Sequence, residues 1–427
     1  MKSICSGGGY EQLELNDNGE TLIKLMLILY ADDTAIVADS ADMLQKGLVV
    51  LGDYCSKWRL KINIDKTKIT IFERSRSRTN KDFVYNGKSI EIVNEFCYLG
   101  TILRANGSVK PAIDKQITQG EKAMFSLIKK SRKLGLPLDI QLDLFHKLIT
   151  PILTYNCEFW GFSETHLEMI ETLHLKYIRF ILKLNNSTPK PMLYGETGEM
   201  PIKIVIITRI ICYLAKLRGM EGTSLAKTMF KAMMKMHLRG GYTTRWLAGV
   251  LRYLIDLDLV EPLLGQPVIK ISSIKRIVKF RLKNKFLKSW SERIASLSKC
   301  DLYNMYKLRF EREKYLRTLP TTLVITLYKF RTSNHPLEVE KMRYVRPIIP
   351  RRLRKCTMYN LNETRNKYHF LFICPRFEEL RIKYIPNNFR RNVNFCKVLD
   401  ILSTKNGKLL LSLTKFIREA LKVYITL

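Results

Sequence analysis

Asp32 and Asp33 stand side by side between two apolar runs, Leu22-Ile23-Lys24-Leu25-Met26-Leu27-Ile28-Leu29 and Thr34-Ala35-Ile36-Val37-Ala38. Adjacent carboxylates repel, and strands disfavour Asp, so the pair costs stability unless something positive lies nearby. Hard divalent cations such as Mg2+ take carboxylate oxygens as ligands. A pair of such ions supports displacement at phosphorus by activating the attacking hydroxyl and steadying the leaving oxygen. The plain alternative is a solvated turn, because Asp is common in turns. A second group with ligand chemistry, Cys356, Tyr359, His369 and Cys374, lies near the end of the chain. Three Cys and His donors fall one short of a closed zinc site, and a phenol with a pKa near ~10 is a poor fourth. His369 is open to two readings, a zinc ligand or a histidine packed between Tyr368 and Phe370.

Basic residues form three clusters. Lys275, Arg276, Lys279, Arg281, Lys283, Lys285 and Lys288 surround Ile277, Val278, Phe280, Leu282, Phe286 and Leu287, as on a helix that packs one face and tracks phosphates with the other. Arg351, Arg352, Arg354 and Lys355 form the second cluster, and Arg74, Arg76 and Arg78 the third. A solvated face is the alternative for each.

The elements that would position these residues follow from pattern. The two apolar runs read as a β-hairpin with acids at its turn. Asp39-Ser40-Ala41-Asp42 reads as the cap of a helix carrying Leu44, Leu48, Leu51 and Cys55 and ending near Trp58. Short strands are predicted at 68–72, 83–85 and 96–103, with Asn86-Gly87 as a turn. Beyond residue 109 the period becomes helical. Ile113, Ile117, Met124, Leu127 and Ile128 lie on one face, and Ile140, Leu144, Phe145, Leu148 and Ile149 on another. Pro137, Pro189, Pro191, Pro201, Pro320, Pro347 and Pro350 mark boundaries. The fold class is α+β.

The chain of 427 residues is 46% hydrophobic, enough for a sizeable core in two or more domains. Its 73 Lys and Arg against 39 Asp and Glu give +34, spread along the chain, a field that attracts polyanions. Neither apolar window, Leu22–Leu29 or Ile202–Leu217, offers the ~20 clean residues of a spanning helix. The amino terminus turns to glycine where a secretory signal would be apolar. Nine widely spaced cysteines suit reduced thiols. The expectation is a nuclear or cytoplasmic protein, neither secreted nor membrane-embedded, with RNA and DNA as partners.

Tyr30-Ala31-Asp32-Asp33 resembles the Y-x-D-D signature of reverse transcriptases. Downstream, Trp58, Leu60, Asn63, Lys66, Thr67, Lys68 and Phe72 resemble W-x-L-x-x-N-x-x-K-T-K-x-x-x-F, and Phe96, Tyr98, Leu99 and Gly100 resemble the F-x-Y-L-G hairpin that grips the primer strand. Leu144-Phe145, Pro151 to Tyr155 and Trp160-Gly161 are similar to a segment of non-LTR, LINE-like retrotransposons. So are Leu173 to Tyr177, Ser187-Thr188-Pro189, Tyr194-Gly195-Glu196 and the stretch Phe330 to Glu340. Trp160 and Tyr155 are expected to anchor the core.

The resemblance implies an RNA-directed DNA polymerase with Asp32 and Asp33 as Mg2+ ligands. It places Lys66 or Lys68 near the nucleotide phosphates, able to protonate the leaving pyrophosphate, with a solvated lysine the alternative for either. Tyr30, Tyr98, Leu99 and Gly100 become nucleic-acid contacts, joined on charge by Lys279, Arg281, Lys283, Arg351, Arg352 and Arg354. Cys356, His369 and Cys374 fall on the zinc knuckle C-x2-C…H-x4-C-P, with Tyr359 at the second ligand position. The implied organisation is an incomplete palm with both hairpins over 1–105, thumb-like helices over 106–160, a helical basic region over 161–345, and a degenerate knuckle with terminal helices over 346–427.

Polymerisation in this family also needs a third aspartate, a glycine-rich loop and basic fingers, all upstream of the hairpin. Glu11, Glu14, Asp17 and Glu20 lie in a polar stretch unsuited to that role. The expectation is a carboxy-terminal portion of a reverse transcriptase with little or no activity alone. The alternative is a non-enzymatic nucleic-acid-binding remnant that keeps the thumb and basic helices.

Overall fold

The computed structural model describes residues 14–15, 21–22, 25–72, 82–221, 224–265, 269–356 and 363–425. The chain divides into two compact units: Met1–Gln116, Asn156–His166 and Ile206–Val278 in the first, and Ile117–Tyr155, Leu167–Val205 and Lys279–Leu427 in the second. The fold is α+β, as the pattern predicts, with antiparallel strand pairs near the start and helices after them.

In the first unit, β1 (Glu14–Leu15) pairs with β2 (Thr21–Leu22), and β3 (Leu25–Tyr30) with β4 (Asp33–Ala38) in a register that sets Tyr30 opposite Asp33. Helix α1 (Ala41–Lys57) follows, capped by the Ser40 hydroxyl, which accepts from the Met43 N–H at 3.4 Å. Strands β5 (Phe83–Tyr85) and β6 (Lys88–Ile90) turn through Asn86-Gly87, both at positive φ (47° and 76°), as a two-residue hairpin turn requires. Strands β7 (Glu95–Tyr98) and β8 (Thr101–Arg104) make the next hairpin. Among the described residues every sheet has two strands.

Leu48, Ile69, Phe83, Tyr85 and Ile90 form the core under α1. Two devices bring helix and hairpin together. Gly52 lets the helix come close to the turn, where a Cβ would press on the Asn86 side-chain oxygen at 2.9 Å. Gln45 extends its amide to the edge of β5, donating to the Val84 carbonyl at 2.8 Å and accepting from the Val84 N–H at 2.9 Å. The stretch 68–72, predicted as a strand, contributes a single parallel bridge, Ile69 to Ile92.

The later segments of this unit pack about Trp160, which is 2% exposed. The Trp246 indole donates to the Glu158 carbonyl at 2.9 Å and the Tyr253 hydroxyl to that of Gly161 at 2.7 Å. Gly161 admits no Cβ against Ile206 and Ile210. Trp160 is thus the anchor expected. Tyr155 is not, being 43% exposed at the second unit's boundary.

The second unit is helical. It takes most of α2 (Lys110–Lys133) and of α4 (Glu164–Ile181), with α3 (Leu138–Leu144), α5 (Lys190–Thr197), and the start of α6 (Lys203–Gly219). It also holds the end of α7 (Ile271–Ser296), α8 (Thr321–Arg331), α9 (Glu378–Tyr384), α10 (Phe395–Ser403) and α11 (Gly407–Ile425). Pro137, Pro189 and Pro320 each stand at a helix N-cap. One predicted face is corrected: Ile140 and Leu148 are 41% and 51% exposed, while Leu138, Leu142, Phe145 and Ile149 are buried. Ile140, two residues from both Leu138 and Leu142, falls on the opposite side of α3, and the π-helical turn Phe145–Ile149 that follows, with its wider winding, turns Leu148 outward.

Candidate functional site

The acidic pair sits at the apex of the β3–β4 hairpin. Ala31 carries φ of 52°, a left-handed value a non-glycine residue rarely takes, and such strain concentrates at functional turns. Asp32 and Asp33 are exposed, and Tyr30 is 62% exposed. Leu29 and Val37 behind them are 40% and 41% exposed, an unusual share of apolar surface for a hairpin stem. Among the described residues, neither group of three or more converging metal-ligand side chains includes Asp32 or Asp33.

The downstream motifs resolve into turns. Asn63 accepts the Lys66 N–H on its side chain at 3.1 Å, while its carbonyl accepts the Thr67 N–H at 3.0 Å and the Thr67 hydroxyl at 2.8 Å. The Lys66 side chain is exposed, whereas Lys68 pairs with Glu91 at 2.6 Å. In the β7–β8 hairpin, Leu99 and Gly100 take φ of 45° and 79°, the geometry of a type I′ turn. Lys115 donates to the Gly100 carbonyl at 2.9 Å and ties that turn to α2. Tyr98 is half-buried, its hydroxyl without a partner.

On α7, Ile274, Val278, Leu282 and Trp290 are buried, and Lys275, Arg276, Lys279, Lys283, Lys285 and Lys288 are exposed, with Arg281 half-buried. The charged residues face solvent as the sequence predicts, but Phe280, expected on the packed face, is 63% exposed, and Ile277, Phe286 and Leu287 are half-buried. Arg351 and Arg352 are exposed, and Arg351 lies 3.5 Å from Asp301. Arg354 turns inward, 7% exposed, donating to the Ile349 carbonyl at 3.0 Å and the Val339 carbonyl at 2.6 Å, so its guanidinium serves the loop. Arg74, Arg76, Arg78 and Tyr359 lie outside the described residues.

Sequence reasoning missed a further surface. On the second unit Phe125 (43% exposed) meets Phe180 (38%) edge to face at 6.0 Å, with Arg132 over the Phe180 ring at 5.0 Å and Lys176 over Phe125 at 5.5 Å. The aromatics belong to α2 and α4, and the only signal was two Phe at polar positions of amphipathic helices.

Cys356, His369 and Cys374 do converge. All three are buried and bring one ligand atom each to within 4.8 Å of the others. His369 Nδ1 lies 3.1 Å from Glu363 Oε2, and its Nε2 is buried without a partner. A ring that gives its Nδ1–H to a carboxylate presents the Nε2 lone pair, the orientation that zinc-ligating histidines share. Burial, with Cys356 beside it, raises the Cys374 thiol pKa, so that thiol ionises readily only when a cation is near. Arg381 braces the segment, donating to the Leu371 and Cys374 carbonyls at 2.9 and 2.8 Å. Of the two readings of His369, the packed one leaves Nε2 unsatisfied and the ligand one does not.

The motifs Tyr194-Gly195-Glu196 and Phe330-Arg331-Thr332-Ser333-Asn334 meet inside the second unit. Arg331 grips Glu196 through Nε–Oε2 at 2.8 Å and Nη2–Oε1 at 3.0 Å, and the Tyr315 hydroxyl also donates to Glu196. Gly195 has no room for a Cβ against Tyr303 and Trp290, and Asn334 donates to the buried Thr188 hydroxyl at 2.9 Å.

Every described cysteine is unbridged, and no described helix is long and apolar enough to cross a membrane. Residues 11–103, which include the acidic hairpin and the Leu99-Gly100 turn, match the family described as reverse transcriptase (RNA-dependent DNA polymerase). Over 161 residues the chain is 28% identical to a transposon-derived protein of Caenorhabditis elegans, a stretch covering 37% of this chain and 55% of that protein. The chain thus contains a reverse-transcriptase-like region and is similar to a protein of transposon origin.

Proposed function

We propose that this chain is part of a non-LTR, LINE-like retrotransposon reverse transcriptase, with RNA-directed DNA polymerisation as the family activity and template-primer RNA and DNA as its partners. The observation that carries the reading is the exposed apex Tyr30-Ala31-Asp32-Asp33, followed in order by the Asn63 turn and the Leu99-Gly100 hairpin within the matched residues 11–103. The first presents oxygen donors, and the third is poised, as the resemblance has it, to hold a primer strand.

The fit to divalent ions is partial. The carboxylates of Asp32 and Asp33 are the right donors for Mg2+, but a two-ion centre needs a further carboxylate, and none joins them among the described residues. No catalytic step is assigned to this pair. Lys66 is the freer of the two candidate lysines, because Lys68 is held by Glu91. The Cys356, His369 and Cys374 cluster fits a zinc ion better, with Glu363 orienting the imidazole, and would fix the knuckle next to Arg351 and Arg352.

Purified protein of this sequence is expected to bind a primer-template duplex while giving no template-directed extension with Mg2+ and deoxynucleotides. Extension products would overturn the proposal that it is inactive alone. Failure to bind any nucleic acid would overturn the functional reading itself.

A further inference from the structure

We propose that His146, His174 and Glu199 form a second metal site in this chain, taking one divalent transition-metal ion of the zinc class. The three side chains come from different elements of the second unit: the π-helical turn after α3, the middle of α4, and the loop after α5. Their ligand atoms lie within 4.8 Å of one another.

The hydrogen bonds fix which atoms face inward. His174 is 1% exposed, and its Nδ1 lies 2.9 Å from Glu171 Oε1. Glu171 also accepts from the Tyr194 hydroxyl at 2.6 Å and the Ile202 N–H at 2.7 Å. With both already donating to Glu171, the His174 Nδ1–H bonds the same carboxylate, and Nε2 is turned to face Glu199 Oε2 at 3.9 Å. His146 Nε2 meets the same Glu199 oxygen, with its own Nδ1 3.3 Å from the Thr150 hydroxyl.

Two imidazole nitrogens and a carboxylate oxygen from three elements converge on one place, as the ligands of a single cation do. Arg312 holds the other Glu199 oxygen, 2.6 Å from Oε1, and reaches Asp143 at 2.8 Å. Two imidazoles with one carboxylate suit zinc-class ions better than Mg2+ or Ca2+. The Glu171–His174 bond is the second carboxylate such sites use to orient a ligand ring, and Phe145, stacked on His174 at 5.1 Å, fixes its plane. The His146 side chain is 34% exposed, so a fourth position opens to solvent there. The ion would tie turn, helix and loop together.

The test uses the full chain carrying Cys356→Ser and Cys374→Ser, which removes thiolate ligands. Titrated with Co2+, it is expected to take one equivalent with visible d–d bands and no sulfur charge-transfer band, and Zn2+ is expected to raise its melting temperature. Adding His146→Gln, at a partly exposed position, should abolish the bands, and Glu171→Gln should weaken binding by about ten- to a hundred-fold. No bound Co2+ in the doubly substituted chain, or binding unmoved by His146→Gln, would overturn the proposal. Should the doubly substituted chain fail to fold, His146→Gln in the native chain is read by metal content after dialysis. Loss of one equivalent supports the site, and unchanged content overturns it.

Discussion

Glu196 and Arg331 have 0% and 2% of their side chains exposed, so each depends on the other for its charge. Removing one partner of such a pair strands the other in a medium that solvates it poorly, and Glu196→Ala is expected to cost about 3–5 kcal/mol in thermal or denaturant unfolding. Burial works against the Glu196 carboxylate, but Arg331 overrides it and holds the pKa below the ordinary value. A depressed folded pKa contributes stability above the unfolded value near ~4.3, and that stability is lost as pH falls through the folded one. Acid melts should therefore show a steeper loss below about pH 4 in the native protein than in Glu196→Gln. Lys367 is shifted in the same direction, but against its charged form and at higher pH. Fully buried and bonded to the Arg331 carbonyl at 2.9 Å, it has a pKa pushed down to about 7, chiefly by burial. The unfolded chain holds that proton up to ~10.4, so stability should rise with pH between those values, and Lys367→Met should flatten the rise. Parallel curves for the two proteins would refute the assignment. The sequence marked both motifs of the Glu196 and Arg331 pair as signs of ancestry. Their joining was not legible, because the partners are 135 residues apart and no local pattern couples them.

Elements were legible where local chemistry dictates them. Ser40 before an apolar period announces α1, and Asn86-Gly87 between short strands announces a type I′ turn, because each requirement is met within a few residues. The π-helical turn was not legible, since one extra residue in a helical turn leaves no compositional mark; Phe145 and Ile149 are buried as expected, while Leu148 is turned outward. The candidate site divides in the same way. The hairpin acids and Cys donors were visible by type, whereas the His146, His174 and Glu199 cluster spans three elements and appears only once they are folded. Gln45 also belongs to this scale, a helical side chain that replaces the missing neighbour of an edge strand with two hydrogen bonds. Gln45→Ala should cost about 0.5–1.5 kcal/mol, because Val84 is 41% exposed and water meets part of the loss. Amide exchange at Val84 would check it, and protection unchanged from the native protein would show that water replaces the glutamine.

At the scale of the whole molecule, the chain enters each of the two units three times, an interleaving that a linear reading of 1–105, 106–160, 161–345 and 346–427 does not anticipate. Net charge is indifferent to that path. With +34 overall and a run of exposed Lys and Arg along α7, affinity for duplex nucleic acid should fall linearly with the logarithm of salt concentration. Each phosphate contact contributes roughly 0.9 to the slope on B-DNA. Replacing Lys279 and Lys283 with Gln should lower the slope by up to about 1.8 if both residues neutralise phosphates, and leave it unmoved if that face is merely solvated. The acidic apex gives the companion measurement. Asp32→Asn with Asp33→Asn removes two negative charges from an exposed turn, so metal-free affinity should hold or rise. If the pair instead binds nucleic acid through Mg2+, the same substitutions should lower affinity only when Mg2+ is present. Titrations with Mg2+ and with a chelator therefore separate a binding remnant from a polymerase hairpin that still uses its ions.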